Sequence, residues 1–215
     1  MIAITGSGEI ALAVTSLLIQ KQFPVKVHGR HEISASDVMD VYESVSNYRS
    51  IIFDSTSSSL LVTNGNFNFN QFESLQEGEI DELIESNFTV VANIIQRFLQ
   101  QTRHQSKRDV FVLGSTAAYD LGPFASVYGA SKLALKGLLI SLNKEYAQTN
   151  TRFSFISLST VNNSMGKLVP DQLEDTLLDL NEISEEIVSV ITRNTNYFEP
   201  EIILRRRFIQ EHKGK

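Results

Sequence analysis

A phenol, an amine and a hydroxyl stand at fixed offsets in the middle of the chain and could together carry acid–base chemistry. Lys132 follows Tyr128 by four residues, and Ser115 precedes Tyr128 by thirteen. The first spacing, at the start of a predicted helix, turns both side chains to one face. A nearby ammonium favours a phenolate and lowers the tyrosine pKa from its ordinary value of about 10. Tyr128 could then act as general acid or base on a carbonyl or alcohol, while the Ser115 hydroxyl stabilises the developing alkoxide.

A glycine-rich turn near the start of the chain could bind a phosphate. Residues 6–11, Gly-Ser-Gly-Glu-Ile-Ala, fit the pattern G-x-G-x-x-A between a predicted strand and a predicted helix. The glycines permit a tight turn and a close approach of pyrophosphate, and the N–H groups of the helix face the anion. The alternative is an ordinary corner between strand and helix. We expect a dinucleotide to contact Gly6, Ser7, Gly8, Glu9 and Ile10.

The end of the second predicted strand bears on which dinucleotide is bound. An NAD site usually has Asp or Glu there, which accepts a hydrogen bond from the ribose 2′-hydroxyl. Here the residues are Gly29, Arg30 and His31. A guanidinium can pair with a 2′-phosphate, so Arg30 favours NADP(H) over NAD. The alternative is a surface arginine that binds no ligand.

Strands and helices alternate along the chain. Apolar β-rich runs predict strands at 1–5, 24–28, 50–54, 109–114, 152–158 and 201–204, with a weaker one at 38–41. Helical periodicity predicts helices at 12–20, 79–104, 126–148 and 182–193. This order predicts an α/β fold: a doubly wound parallel sheet in three α/β/α layers, with ligands beyond the carboxyl ends of the strands.

The combination of the glycine turn, Ser115, Tyr128 and Lys132 resembles the short-chain dehydrogenase/reductase family from residue 1 to about 195. The resemblance implies a Rossmann-like fold and a hydride supplied by the cofactor. It also implies that Lys132 hydrogen-bonds the nicotinamide ribose. An asparagine of the preceding helix supports a proton-relay water in the family; Asn87 takes that position, and Asn93 is a less favoured competitor.

Several departures mark a short, divergent member of that family. The glycine turn is one residue shorter than usual, and region 31–50 leaves little room for full helices. The family's Asn-Asn-Ala-Gly stretch is replaced after the predicted fourth strand by residues that include Ser55 and Thr56, which we expect to meet the adenosine ribose without a strand-bracing asparagine. Val161 keeps the position whose backbone meets the nicotinamide amide. A short substrate lid is expected around 162–180.

Composition limits the remaining possibilities. The 215 residues are 42% hydrophobic, carry a net charge of −6 and include no cysteine. These values suit a single domain over 1–215, which the resemblance implies to be an NAD(P)-binding Rossmann domain. They argue against a nucleic-acid binder and fit a reducing, cytoplasmic compartment. Neither a membrane span nor a metal site is indicated. The family resemblance implies a homodimer or homotetramer formed through the two long helices.

The sequence therefore predicts an NADP(H)-dependent oxidoreductase that reduces a carbonyl or oxidises a secondary alcohol. The polar loop 55–72 carries Phe67, Phe69 and Phe72. These rings either wall the substrate pocket or pack into the core. Two other functions stay open: a catalytically inactive NADP-binding sensor, and an epimerase or dehydratase of the extended relatives. The latter need a larger carboxyl-terminal domain than this chain provides.

Overall fold

Seven parallel strands form one sheet in the computed structural model, which describes residues 1–31, 33–170 and 174–206. The strands are β1 (Ile2–Thr5), β2 (Val25–Gly29), β3 (Tyr42–Ser44), β4 (Ser59–Val62), β5 (Arg108–Ser115), β6 (Thr151–Leu158) and β7 (Glu201–Leu204). Their order in the sheet is β3-β2-β1-β4-β5-β6-β7. Strands are added to one side of β1 up to β3 and to the other side from β4 onward, so the strand order switches between β1 and β4. The crevice for a ligand opens beyond the carboxyl ends of those two strands.

Within the described residues, five α-helices cover the two faces of the sheet. They are α1 (Glu9–Gln20), α2 (Glu79–Ile84), α3 (Val90–Gln101), α4 (Ser126–Glu145) and α5 (Leu180–Thr192). One core lies under α1 and α5 and the other under α3 and α4. Because both faces are covered, every residue of the central strand β1 is buried. The predicted three-layer α/β/α fold is confirmed.

The strand predicted at 50–54 is wrong. Ile51 and Phe53 are buried, but this stretch pairs with no strand, and a turn closed by the Asp54 carboxylate follows it. The fourth strand is β4, which pairs with β1 from Ser59 onward. A short apolar run fits a buried irregular segment as well as a strand, and periodicity alone cannot separate the two.

This shift of the fourth strand also makes the prediction for Ser55 and Thr56 wrong. Both precede β4 and lie at the amino-terminal edge of the sheet, opposite the crevice. The amino group of Met1 donates to the Thr56 carbonyl at 3.2 Å, and Gln105 donates to the Ser55 carbonyl at 2.6 Å. Neither residue lines the cavities beside the glycine turn.

The described part of region 31–50 holds only short elements, as its length predicted. The weak strand predicted at 38–41 is instead a 3-10 turn, Met39–Val41, which leads directly into β3. A second 3-10 turn, Tyr48–Ser50, follows β3. Within the described residues of this region no α-helix forms. Elsewhere in the described chain, none of the helices combines the length and apolar character that crossing a bilayer requires.

Candidate active site

The glycine turn lies at the crevice between β1 and β4. Gly6 has a φ of +113°, and a Cβ there would overlap the Thr63 hydroxyl, which donates to the Thr5 carbonyl at 2.8 Å. Gly8 is the N-cap of α1, and no heavy atom lies within 4 Å of a Cβ built on it. The turn therefore presents the N-terminus of a twelve-residue helix to open space, which is the setting in which a pyrophosphate binds.

Arg30 stands on the wall of the cavity that Gly6, Ser7 and Gly8 also line. Its guanidinium carbon lies 5.1 Å from the centroid of the Tyr48 ring. Among the described residues it has no carboxylate within ion-pair distance. Arg30 is exposed and positioned at the end of β2, where a cofactor's adenosine ribose binds in folds of this type.

Ser115, Tyr128 and Lys132 line one cavity of about 450 Å³. Ser115 is the last residue of β5, and the other two lie in the first two turns of α4. The Lys132 side chain is buried, with its ammonium 5.6 Å from the centroid of the Tyr128 ring. The expectation from spacing, that these groups face one space, is met.

The pKa of Tyr128 is not lowered in this cavity as the sequence led us to expect. Burial raises the pKa of Tyr128, and the Ser115 hydroxyl partly opposes that rise. Burial also lowers the pKa of Lys132 to about 8. Desolvation thus outweighs the favourable effect of an ammonium on a phenolate, and Tyr128 keeps its proton at neutral pH.

Asn87 lies in a π-helical turn, Glu85–Thr89, between α2 and α3. Its side chain is fully buried and makes three hydrogen bonds. The amide nitrogen donates to the carbonyls of Asn66 (2.9 Å) and Leu83 (3.0 Å), and the amide oxygen accepts from the N–H of Asn66 at 3.1 Å. Asn93, the competitor, lies instead in the groove between α3 and α4. Of the two candidates, Asn87 is therefore the one that lines the cavity with Tyr128 and Lys132.

The residues that follow β4 are the part of the site that sequence reasoning missed. Asn64 accepts a hydrogen bond from the buried Thr5 hydroxyl at 2.7 Å and so braces β1 against β4. A Cβ at Gly65 would stand 2.7 Å from the Asn87 amide oxygen and 3.0 Å from the Lys132 ammonium. A strand-bracing asparagine is therefore present. The signal was the pair Asn64-Gly65 behind the apolar run 60–62, which the misplaced strand at 50–54 hid.

The expected lid lies over the same cavity in its described part, and 171–173 lie outside the described residues. Val161 is buried on the cavity wall, and the N–H of Asn162 donates to the Leu178 carbonyl at 2.8 Å. Ser164 donates through its backbone N–H and its hydroxyl to the Glu9 carboxylate, at 2.8 Å and 2.7 Å. Glu9 thus ties the first turn of α1 to the lid, a contact the sequence did not reveal.

Comparison with known proteins agrees with this geometry. The family model described as short chain dehydrogenase matches residues 28–174. The chain belongs to the short-chain dehydrogenase family. As a member of this family it is an oxidoreductase, and one curated protein similar to it is an uncharacterized oxidoreductase of Staphylococcus epidermidis. The two are 24% identical over 207 residues, which cover 95% of this chain and 85% of the relative.

Two solved short-chain dehydrogenase-like structures show the same fold. A short-chain dehydrogenase/reductase from Vibrio parahaemolyticus is 20% identical with a TM-score of 0.82, and the match covers 97% of this chain and all of the other. An alcohol dehydrogenase from the archaeon Thermococcus sibiricus, solved with 5-hydroxy-NADP, is 17% identical with a TM-score of 0.78, covering 95% and 96% of the two chains.

Proposed function

We propose that this short-chain dehydrogenase is an NADP(H)-dependent enzyme that reduces a carbonyl to an alcohol, with Tyr128 as the proton donor. The observation that carries the proposal is the single cavity in which Ser115, Tyr128, Lys132 and Asn87 meet beside the first turn of α1.

The residues present fit a dinucleotide. The open turn at Gly8 and the N-terminus of α1 suit the pyrophosphate, and Arg30 suits a 2′-phosphate. The Lys132 ammonium suits the nicotinamide ribose, and the backbone of Val161 suits the carboxamide. When bound, NADPH would supply the hydride. The alcohol dehydrogenase from Thermococcus sibiricus, solved with an NADP derivative, supports this choice of cofactor.

The side chains have separable roles on the substrate oxygen. The Ser115 Oγ accepts a hydrogen bond from the N–H of Ala117 at 3.1 Å, and a carbonyl oxygen beside Tyr128 could accept the Ser115 proton. The raised pKa of Tyr128 keeps the phenol protonated until the oxygen gains charge. The phenol then donates its proton to the developing alkoxide. A protonated phenol is the form that carbonyl reduction requires of Tyr128.

The test is the substitution Tyr128→Phe, measured by NADPH oxidation against a panel of aldehydes, ketones and quinones. We expect kcat to fall about 100-fold or more because the proton donor is lost. NADPH binding, followed by its fluorescence, should be retained. Tyr146→Phe is the matched control, since Tyr146 lies at the far end of α4 against Phe153; it should keep wild-type turnover.

Two results would contradict the proposal. Undiminished turnover by the Tyr128→Phe protein would remove the mechanism. NADPH binding by the wild-type protein without reduction of any panel member would favour the alternative, a catalytically inactive NADP-binding sensor.

A further inference from the structure

Two phenylalanine rings form an apolar wall directly beside the proposed proton donor. The rings of Phe67 and Tyr128 meet edge to face, with centroids 4.9 Å apart and planes at 89°. Phe69 lies next to Phe67, at a centroid distance of 6.3 Å. Both phenylalanines line the catalytic cavity. We call Phe67 and Phe69 the aromatic wall.

The segment that carries the aromatic wall is fixed at both ends and in the middle. The Asn87 amide holds both backbone groups of Asn66. The N–H of Asn70 donates to the Phe124 carbonyl at 2.7 Å, and the side chain of Asn68 donates to the Glu79 carboxylate at 3.0 Å. The wall is therefore preorganised, and a substrate that packs against it does not have to order it.

The aromatic wall also has a partner that supports its outer side. The rings of Phe69 and Phe124 lie 5.5 Å apart. Phe124 has a φ of +63°, in the left-handed region that a bulky residue rarely adopts. The loop before α4 thus holds an unfavourable backbone conformation at the residue whose ring packs on the wall.

The charged side chains around the cavity disfavour anionic substrates. Besides Tyr128, the ionisable side chains on its described lining are Glu9, Asp120 and Lys132. Glu9 is bonded to Ser164, Asp120 pairs with Arg205 at 2.7 Å, and Lys132 is buried. An anionic substrate would find no exposed cation on this described lining to offset the loss of its water, so a neutral substrate fits better.

We infer that the aromatic wall selects uncharged aryl aldehydes and ketones, with the aryl ring packed on Phe69 and the carbonyl oxygen at Tyr128 and Ser115. Aromatic rings prefer edge-to-face or offset contacts with one another over contacts with saturated groups of the same size. This inference rests on the proposed function and adds the substrate class to it.

The first experiment compares benzaldehyde with cyclohexanecarbaldehyde, which differ in the character of the ring, and measures kcat/KM with NADPH. Phe69→Leu keeps an apolar side chain but removes the ring, and it spares Phe67, which touches Tyr128. We expect this change to lower the aryl-to-cyclohexyl ratio about three- to tenfold. Phe72→Leu is the control, because Phe72 is exposed outside the cavity; its ratio should equal that of the wild type.

A charged substrate tests the electrostatic part. We expect 4-formylbenzoate to be reduced at least about tenfold less efficiently than benzaldehyde, because its carboxylate would lose water in a cavity whose described lining offers no exposed cation. An unchanged ratio in the Phe69→Leu protein, or a preference for the carboxylated aldehyde, would overturn the inference.

A second measurement separates this inference from the proposed function. Saturation-transfer NMR in the presence of NADPH compares two unreactive analogues, benzamide and cyclohexanecarboxamide. Stronger saturation of benzamide that Phe69→Leu abolishes supports the aromatic wall, even if no carbonyl is ever reduced and the proposed activity fails. Equal saturation of the two amides would overturn the inference about the aromatic wall even if aldehydes are reduced.

Discussion

Arg30 is the residue on which the proposed preference for NADP(H) over NAD(H) rests. It replaces the acid that an NAD site would carry after β2, and its guanidinium faces the cavity beside the glycine turn. We expect Arg30→Ala to raise the Kd for NADPH at least about tenfold, since a charge-assisted bond to the 2′-phosphate is lost.

NADH, which lacks the 2′-phosphate, is the internal control for Arg30. Its Kd should change by less than about twofold, because an exposed side chain that touches no ligand contributes little. Fluorescence titration with both nucleotides checks the prediction. A parallel loss of affinity for NADPH and NADH would show that Arg30 shapes the loop instead of reading the phosphate.

Lys132 makes stability depend on pH. Burial lowers its pKa to about 8, below the value of about 10.4 for an unfolded lysine. Between these values the unfolded chain binds the extra proton, so the contribution of this residue to stability rises with pH in that window. Below pH 8 the full cost of burying the ammonium is present.

The substitution Lys132→Met removes this titration while keeping an unbranched side chain that is one atom shorter. We expect the variant to be more stable than the wild type at pH 7, and its advantage to shrink as the pH rises to about 10. Urea denaturation of both proteins without cofactor measures the difference. A constant difference across that range would contradict the lowered pKa.

The turn between β1 and α1 shapes the proposed pyrophosphate site. Gly6 and Gly8 both belong to it, but only Gly6 has a positive φ and lies against Thr63. We expect Gly6→Ala to lower the free energy of unfolding by about 1–3 kcal/mol, from backbone strain and the clash. Gly8→Ala should change it by about 1 kcal/mol or less, because Gly8 has an extended backbone that alanine adopts and the space around it is open, so only the poorer N-cap preference of alanine remains.

Ligand binding separates the two glycines in a second way. A methyl group on Gly8 would stand in the space beside the N-terminus of α1, so Gly8→Ala should weaken NADPH binding while the protein stays folded. Urea denaturation and NADPH titration on both variants provide the comparison. Equal stability of the two would contradict the role given to Gly6.

At the scale of the molecule, we propose that α3 and α4 form the interface of a homodimer or homotetramer. Leu133 and Ile140 on α4 are 44% and 50% exposed, and they lie seven residues apart on one side of the helix. Burying such side chains against a second copy would remove apolar surface from water.

Analytical ultracentrifugation tests the assembly. The wild-type protein should sediment as a dimer or tetramer, and Ile140→Glu should shift it toward monomer, because a charge would be buried in the interface. Met39→Glu is the control, since Met39 is 55% exposed and lies in the 3-10 turn Met39–Val41, whose Val41 packs against the core under α1 and α5. A monomeric wild-type protein at micromolar concentration would contradict the proposal.

The sequence determined the class of fold and most of the chemistry. Alternating apolar strands and amphipathic helices allow few arrangements, and the offsets of Ser115, Tyr128 and Lys132 are local distances that a strand, a turn and a helix preserve. The position of Asn87 also followed from sequence. The π-helical turn that holds it did not, because residues 79–104 read as one periodic helix and a single wide turn leaves no mark in that pattern.

The tertiary structure decided which of two apolar runs became the fourth strand. Ile51 and Phe53 could bury their side chains beneath α3 without any strand partner, whereas residues 59–62 bring the register that pairs with β1 and β5. Burial is satisfied in either place, but backbone pairing depends on neighbours distant in sequence. That long-range choice moved Ser55 and Thr56 out of the site and brought Asn64, Gly65 and the aromatic wall into it.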